Sequence, residues 1–206
     1  MASRQRLLRT LGSVIEDPRV LEAVAAVRRD LFVPEDLRRD TWENAPLPIA
    51  AGQTISQPLV VARMCELLEL GPADRVLDVG TGSGYHAAVL AQLVAHVWSI
   101  ERHPELTEFA RANLAAAGIG NVTLLVGDGS LGYPEQSPYD AINVAAAAWE
   151  RVPAELELQL VPGGRLVAPV DGAGQRLVRV RRTANGYDRR WLEPVRFVPL
   201  VQERDG

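Results

Sequence analysis

The chain has 206 residues, 47% of them hydrophobic and 23% charged, with a formal net charge of −4. That composition suits one soluble α/β domain and excludes a strongly basic nucleic-acid-binding protein. A lone cysteine, Cys65, excludes an internal disulfide and a thiolate metal cluster.

From the N-terminus, the segment starting at Met1 has cationic residues but no apolar h-region, and no later run is long enough to span a bilayer. A cytoplasmic location without membrane attachment is therefore expected. Residues up to about Arg39 read as helical, with Val20, Val24 and Val27 at helical spacing and a break at Phe32-Val33-Pro34. A loop rich in Pro and Gly runs from Asn44 to Gln57. A helix follows from Pro58 to Leu70, with Pro58 suited to the first helical position.

Beyond Gly71-Pro72 the chain alternates strand and helix. Strands are expected at Arg75–Val79, Val97–Ile100, Val122–Val126, Tyr139–Val144 and Arg165–Val170. The helices between them are Tyr85–Val94, Pro104–Ala117 and Pro153–Leu160. This alternation implies a mostly parallel sheet with helices on both faces. Gln175–Arg182, a turn at Asn185-Gly186, and Arg190–Leu200 read as a terminal antiparallel hairpin. That ending suits a methyltransferase of Rossmann-like class better than a dinucleotide dehydrogenase.

Asp78-Val79-Gly80-Thr81-Gly82-Ser83-Gly84-Tyr85 lies between the first strand of the alternating region and its helix. Glycines there let the backbone turn tightly against a ligand. The spacing lacks the later glycine of the dinucleotide fingerprint. Asp78 sits where an acid meets a cationic amino acid. Glu101, nineteen positions after Gly82, can accept hydrogen bonds from ribose hydroxyls, and Asp128 of Gly127-Asp128-Gly129 can take an adenine amino group. Three acids at three strand ends line the crevice where open α/β sheets bind ligands, and the set points to S-adenosylmethionine (SAM). The alternatives are a purely structural glycine turn and solvated strand-end acids.

His86, His96 and His103 share no metal-ligand spacing with one another or with Cys65, so no metal is expected, and each reads as a surface or partly buried histidine. Of the tryptophans, Trp42 and Trp149 are the candidates to border a substrate groove. The alanine run Ala145–Ala148 reads as a place of close approach.

The segment Pro46-Leu47-Pro48-Ile49-Ala50-Ala51-Gly52-Gln53-Thr54-Ile55-Ser56-Gln57-Pro58 resembles the signature loop of protein-L-isoaspartate (D-aspartate) O-methyltransferases. The likeness continues through Leu31-Phe32-Val33-Pro34, the glycine turn, Gly127-Asp128-Gly129, Pro138-Tyr139-Asp140-Ala141-Ile142, Pro162-Gly163-Gly164-Arg165-Leu166 and Val195-Arg196-Phe197-Val198-Pro199-Leu200. It covers nearly the whole chain. The resemblance implies a class I SAM-dependent methyltransferase, with SAM converted to S-adenosyl-L-homocysteine. The methyl acceptor would be the α-carboxyl group of L-isoaspartyl residues in damaged proteins or peptides, and the ester would close to a succinimide.

It further implies that Ser56 is the active-site serine and that Gln53, Thr54, Ile55 and Ser56 bind substrate. The cofactor set is then Thr54, Ile55, Ser56, Asp78, Gly80, Thr81, Gly82, Ser83, Glu101, Arg102, Asp128, Gly129 and Gln175. One methyltransferase domain over 1–206 is expected, divided into N-terminal helices and acceptor loop (1–57), SAM-binding core (58–170) and C-terminal strands (171–206). The protein is expected to act as a monomer on isoaspartyl proteins or peptides, without nucleic acid. The physics agrees: a carboxylate is ionised at neutral pH and needs placement, not a general base. An alternative role for Ser56 is only to cap the helix beginning at Pro58.

Three positions depart from the family pattern: Asn44 in place of an aspartate, Ala50-Ala51 where a glycine commonly comes first, and Trp149 in place of a proline. Two rival functions follow, a homologue esterifying an aspartate of a dedicated peptide precursor and a non-catalytic SAM-binding regulator. The end of the chain at Gly206, without a peptide-recognition extension, weighs against the first, and the intact Gln53–Ser56 loop against the second.

Overall fold

The computed structural model describes residues 3–202, so the readings at Met1 and Gly206 lie outside the described residues. Two short helices open the fold. In α1 (Arg4–Gly12) the Ser3 side chain accepts the Arg6 amide hydrogen, and in α2 (Pro18–Ala26) Asp17 accepts that of Arg19. Both are ordinary N-caps. The helical reading to Arg39 is thus corrected: Pro18 can only start a helix, and after Val27 the chain makes just two 3-10 turns, Arg29–Leu31 and Glu35–Asp40.

Within the Asn44–Gln57 loop, β1 (Leu47–Pro48) and β2 (Thr54–Ile55) pair antiparallel, Leu47 opposite Ile55. Ala51 and Gly52 turn the chain between them with φ of 56° and 67°. The α3 helix (Pro58–Leu67) then leads into the main sheet.

That sheet contains β3 (Arg75–Val79), β4 (His96–Glu101), β5 (Val122–Val126), β6 (Tyr139–Val144), β7 (Ala148–Trp149), β8 (Leu160–Asp171), β9 (Arg176–Thr183) and β10 (Gly186–Pro194). Their order is β10-β9-β8-β6-β3-β4-β5, with β7 beside β8. Pairing is parallel from β8 through β6, β3 and β4 to β5, and antiparallel between β8, β9 and β10. The expected mostly parallel sheet with an antiparallel C-terminal element is present. The chain reverses its winding direction at β3, so the crevice at the C-terminal ends of β3 and β4 is the natural ligand position.

The helices divide unequally. Apolar side chains of α1 to α3, α4 (Tyr85–Ala91) and α5 (Pro104–Ala116) pack on one face with Val76, Val97 and Ala141. Leu156 of the short α6 (Ala154–Leu158) packs on the other with Leu77, Val79 and Ile142. Alternate residues of β3 therefore serve opposite faces, as the two-residue period of a strand requires. Leu77 and Ile142, register partners on β3 and β6, are both fully buried, and each contributes about 2 kcal/mol of apolar burial.

The terminal strand ends earlier than its residue pattern suggests. β10 stops at Pro194, whose ring nitrogen carries no hydrogen for the ladder. The following residues leave the hairpin and return across the sheet end. There Ala147 N–H donates to Val198 O and Leu200 N–H to Ala147 O, each at 2.8 Å.

Candidate active site

A cavity of about 310 Å³ opens at the C-terminal ends of β3 and β4. Its walls come from the loop Gln53–Ser56, the glycine turn Gly80–Ser83, the β4 end at Glu101 to His103, Gly129, Ala145, Ala146 and the tail Phe197–Val201. That volume lies at the small end of the range for small-molecule sites.

The glycine turn is shaped by sterics. Gly84 has φ of 87°, and a Cβ there would stand 3.2 Å from Ala110 Cβ and 3.4 Å from Leu114 Cγ. Only glycine lets α4 start this close to α5. At Gly80, φ 94°, the neighbour is Ala145, so part of the alanine run is the close approach its small residues suggest.

Glu101 locks the turn from the next strand. Its Oε2 accepts from Gly82 N–H at 2.9 Å and its Oε1 from His103 N–H at 3.1 Å. Each carboxylate oxygen keeps acceptor capacity. The side chain is nearly buried and lies on the cavity wall, a position that fits a diol.

Asp78 lies behind the cavity. It is fully buried and absent from the cavity wall. Its Oδ1 accepts from Asn143 Nδ2 and its Oδ2 from Ser99 Oγ, both at 2.7 Å. Ser99 spends its single hydrogen on Asp78, so the Thr81 hydroxyl, 2.7 Å away, donates to Ser99. Burial pushes the Asp78 carboxyl up to about 6, against the lowering effect of the Asn143 and Ser99 hydrogen bonds. Asp78 thus holds the turn from behind.

His86 belongs to the same network and corrects the reading of a surface or partly buried histidine: it is buried, because α4 runs under the sheet end. Asn143 Nδ2 lies 3.2 Å from His86 Nδ1 and His86 Nε2 lies 3.6 Å from Cys65 Sγ. With the Asn143 amide group donating on both sides, Nδ1 accepts and Nε2 carries the ring hydrogen. Burial holds the imidazole down to about 3, so it is neutral. Among the described residues no cluster of three His, Cys, Asp or Glu side chains suits a metal ion.

Eleven of the expected residues meet at one cavity: Gln53, Thr54, Ile55, Ser56, Gly80, Thr81, Gly82, Ser83, Glu101, Arg102 and Gly129. Asp78, Asp128 and Gln175 are not on its wall. The Asp128 side chain accepts from Ser130 N–H at 2.9 Å. Gln175 clamps the tail: its Oε1 accepts from Phe197 N–H at 2.7 Å, and its Nε2 donates to Phe197 O and to Asp171 Oδ2, each at 3.2 Å. The tryptophan expectation is also corrected. Trp42 packs against the N-terminal core and Trp149 stands exposed, so neither walls the cavity. The tail wall carried a signal, the Phe197-Val198-Pro199-Leu200 motif, but nothing in the sequence says that it folds back over the site.

Ser56 stands on the cavity wall with its hydroxyl free of any hydrogen bond to the described residues. It does not cap α3. Asn44 Oδ1 does so from across the loop, accepting the Leu59 amide hydrogen at 3.1 Å.

The whole chain has known relatives. The family model described as Protein-L-isoaspartate(D-aspartate) O-methyltransferase (PCMT) matches residues 2–205. A protein-L-isoaspartate O-methyltransferase of Ignicoccus hospitalis is 53% identical over 97% of this chain and 98% of its own. One from Halorhodospira halophila is 52% identical over 98% and 93%. Among solved structures, a Plasmodium falciparum beta-aspartate methyltransferase (PCMT) in complex with S-adenosyl-L-homocysteine superposes with a TM-score of 0.84 at 26% identity, covering 98% of this chain and 99% of that one. With a signature loop, glycine turn and tail on one cavity, and relatives matching along its length, the chain belongs to the protein-L-isoaspartate(D-aspartate) O-methyltransferase family.

Proposed function

We propose that this cavity carries out SAM-dependent methyl transfer to the α-carboxyl group of L-isoaspartyl residues, with Ser56 as the group that positions the acceptor. The observation behind the Ser56 role is its uncommitted hydroxyl, on a residue that lines the same cavity as the glycine turn. Bound SAM supplies an electrophilic sulfonium methyl group. Glu101 is the acceptor for ribose hydroxyls, the backbone of Gly80 to Ser83 approaches the amino-acid portion, and Gly129 borders the base. Arg102 stands at the exposed rim. Asp78, Asp128 and Gln175 support these contacts by fixing the turn, the Gly129 loop and the tail.

The carboxylate arrives ionised, so no base has to remove a proton. Ser56 Oγ–H donates to one carboxylate oxygen and leaves the other for attack. Gln53, Thr54 and Ile55 border the acceptor, while Ile55 and the Phe197–Leu200 tail keep water out. A carbon–oxygen bond forms as the carbon–sulfur bond breaks, and the sulfonium becomes a neutral thioether. Methoxide is a far better leaving group than the oxide a carboxylate would have to expel, so the neighbouring amide nitrogen attacks the ester carbonyl and closes a succinimide with loss of methanol. Hydrolysis of that ring returns some normal aspartate. Net charge −4 supports work without nucleic acid, and a single buried cysteine suits a reducing, cytoplasmic compartment; we take the acting species to be a monomer. No helix among the described residues is long and apolar enough to cross a membrane.

The test is labelled-methyl transfer from SAM to two peptides that differ only by isoaspartate or aspartate at one position. Base-labile label on the isoaspartyl peptide alone is expected, with loss in Ser56→Ala. Label on the aspartyl peptide would instead indicate a dedicated peptide-tailoring enzyme, and label on neither would end the substrate assignment.

A further inference from the structure

Arg29 is fully buried, yet it forms no ion pair among the described residues. Its partners are neutral. Nη1 donates to Thr41 O, Nη2 donates to Ala45 O at 3.2 Å and to Ser56 O at 3.3 Å, and the guanidinium carbon lies 5.6 Å from the Tyr85 ring centre. Nε is buried without a hydrogen-bond partner among the described residues. Burial brings the guanidinium down to about 10, which leaves it charged at neutral pH.

An isolated buried cation costs several kcal/mol, and folds ordinarily neutralise it with a carboxylate. Here the compensation is missing at one place, directly behind the acceptor wall. Two of the groups that Arg29 touches, Ser56 and Tyr85, themselves line the cavity. The three carbonyls and the Tyr85 ring solvate the guanidinium without cancelling its net charge, so its field remains available to an anion on the cavity side. In a partly buried region the attraction between such a cation and an incoming carboxylate is only weakly screened.

We propose that Arg29 is a specificity-determining residue of the acceptor site, its unneutralised charge selecting an α-carboxylate over a neutral group of the same shape. The proposal rests on the reading that the acceptor carboxyl sits at Ser56. Arg29 touches neither substrate nor cofactor in this scheme; it acts through the Ser56 backbone, the Tyr85 ring and its field.

The test uses two peptides, one with an isoaspartyl α-carboxylate and one with the corresponding α-carboxamide. Their dissociation constants are measured on the full chain saturated with S-adenosyl-L-homocysteine. The wild-type protein is expected to prefer the carboxylate by at least about 10-fold. Arg29→Gln should weaken the carboxylate peptide by roughly that factor and leave the amide peptide within about 2-fold, and Arg29→Lys should restore most of the preference. Equal weakening of both peptides would reduce Arg29 to a structural staple, and no preference in wild type would also overturn the proposal. Should Arg29→Gln fail to fold, carbon-13 titration of the isoaspartyl carboxyl bound to wild type decides. A bound pKa below that of the free peptide is expected, and an unchanged or raised one overturns the charge role. If wild type transfers no methyl group to the isoaspartyl peptide, the underlying substrate reading fails and takes the proposal with it.

Discussion

Asn44 and Leu59 are joined across the acceptor loop, the side-chain carbonyl of the first taking the amide hydrogen of the second at 3.1 Å. Leu59 is in the first turn of α3, where helix amides lack internal partners. One residue that departs from the family pattern therefore performs the capping that Ser56 was otherwise placed to perform. Under the proposed function, stability and chemistry fall to different side chains.

The two substitutions should separate accordingly. Asn44→Ala is expected to cost about 1 kcal/mol, read as a Tm decrease of a few degrees. Ser56→Ala should leave Tm within about 1 °C while reducing methyl transfer. A large Tm loss in Ser56→Ala would return Ser56 to a structural role.

Gln175 holds the tail by two hydrogen bonds to the Phe197 backbone. Gln175→Ala removes both, and at about 1 kcal/mol each the docking of the tail weakens by roughly 2 kcal/mol. Amide exchange at Ala147 and Leu200, which pair across the tail contact, should speed up by about 10- to 30-fold. Unchanged exchange would show that packing of Phe197 alone secures the tail.

The buried pair Asp78 and His86 imposes opposite pH dependences on stability. Asp78 titrates at about 6 in the fold against an ordinary 3.8, so between those values the folded chain holds more protons than the unfolded one, and stability falls as pH rises. His86 titrates at about 3 against 6.5, so the folded chain holds fewer protons, and stability falls as pH drops below 6.5. Over about pH 4 to 6 the two nearly offset each other. Asp78→Asn should make Tm climb more steeply with pH in that window, and His86→Gln should make it decline. Parallel pH profiles for all three proteins would refute the assignment.

Ala51 adopts the left-handed region at φ 56°, ψ 25°, where a Cβ is strained by about 1 kcal/mol. It is exposed and off the cavity wall. Ala51→Gly relieves the strain but adds freedom to the unfolded chain, for a net stabilisation of about 0.5 kcal/mol with methyl transfer retained. A destabilised variant would mean that the turn tolerates Ala51 without strain.

The sequence by itself carried the parallel sheet, its antiparallel ending, the glycine turn and part of the cavity wall, because these depend on local periodicity and on motifs within a few residues. Gly80 to Ser83 and Gln53 to Ser56 were legible for that reason. What only the tertiary structure decided is where long-range partners fall. Asp78 reads as a ligand residue, but the fold buries it behind the glycine turn, where Asn143, its register partner on the neighbouring strand, and Ser99 each donate to one of its oxygens. Gln175 reads as a cofactor contact, and nothing local in the sequence says that it also clamps a tail that Pro194 turns away from the hairpin. Arg29 gives no sign in sequence that it is buried without a carboxylate, since burial and charge compensation are set by residues that meet only when the chain has folded. Periodicity assigns elements and their faces; which polar groups find partners, and which are left over for chemistry, is fixed by packing.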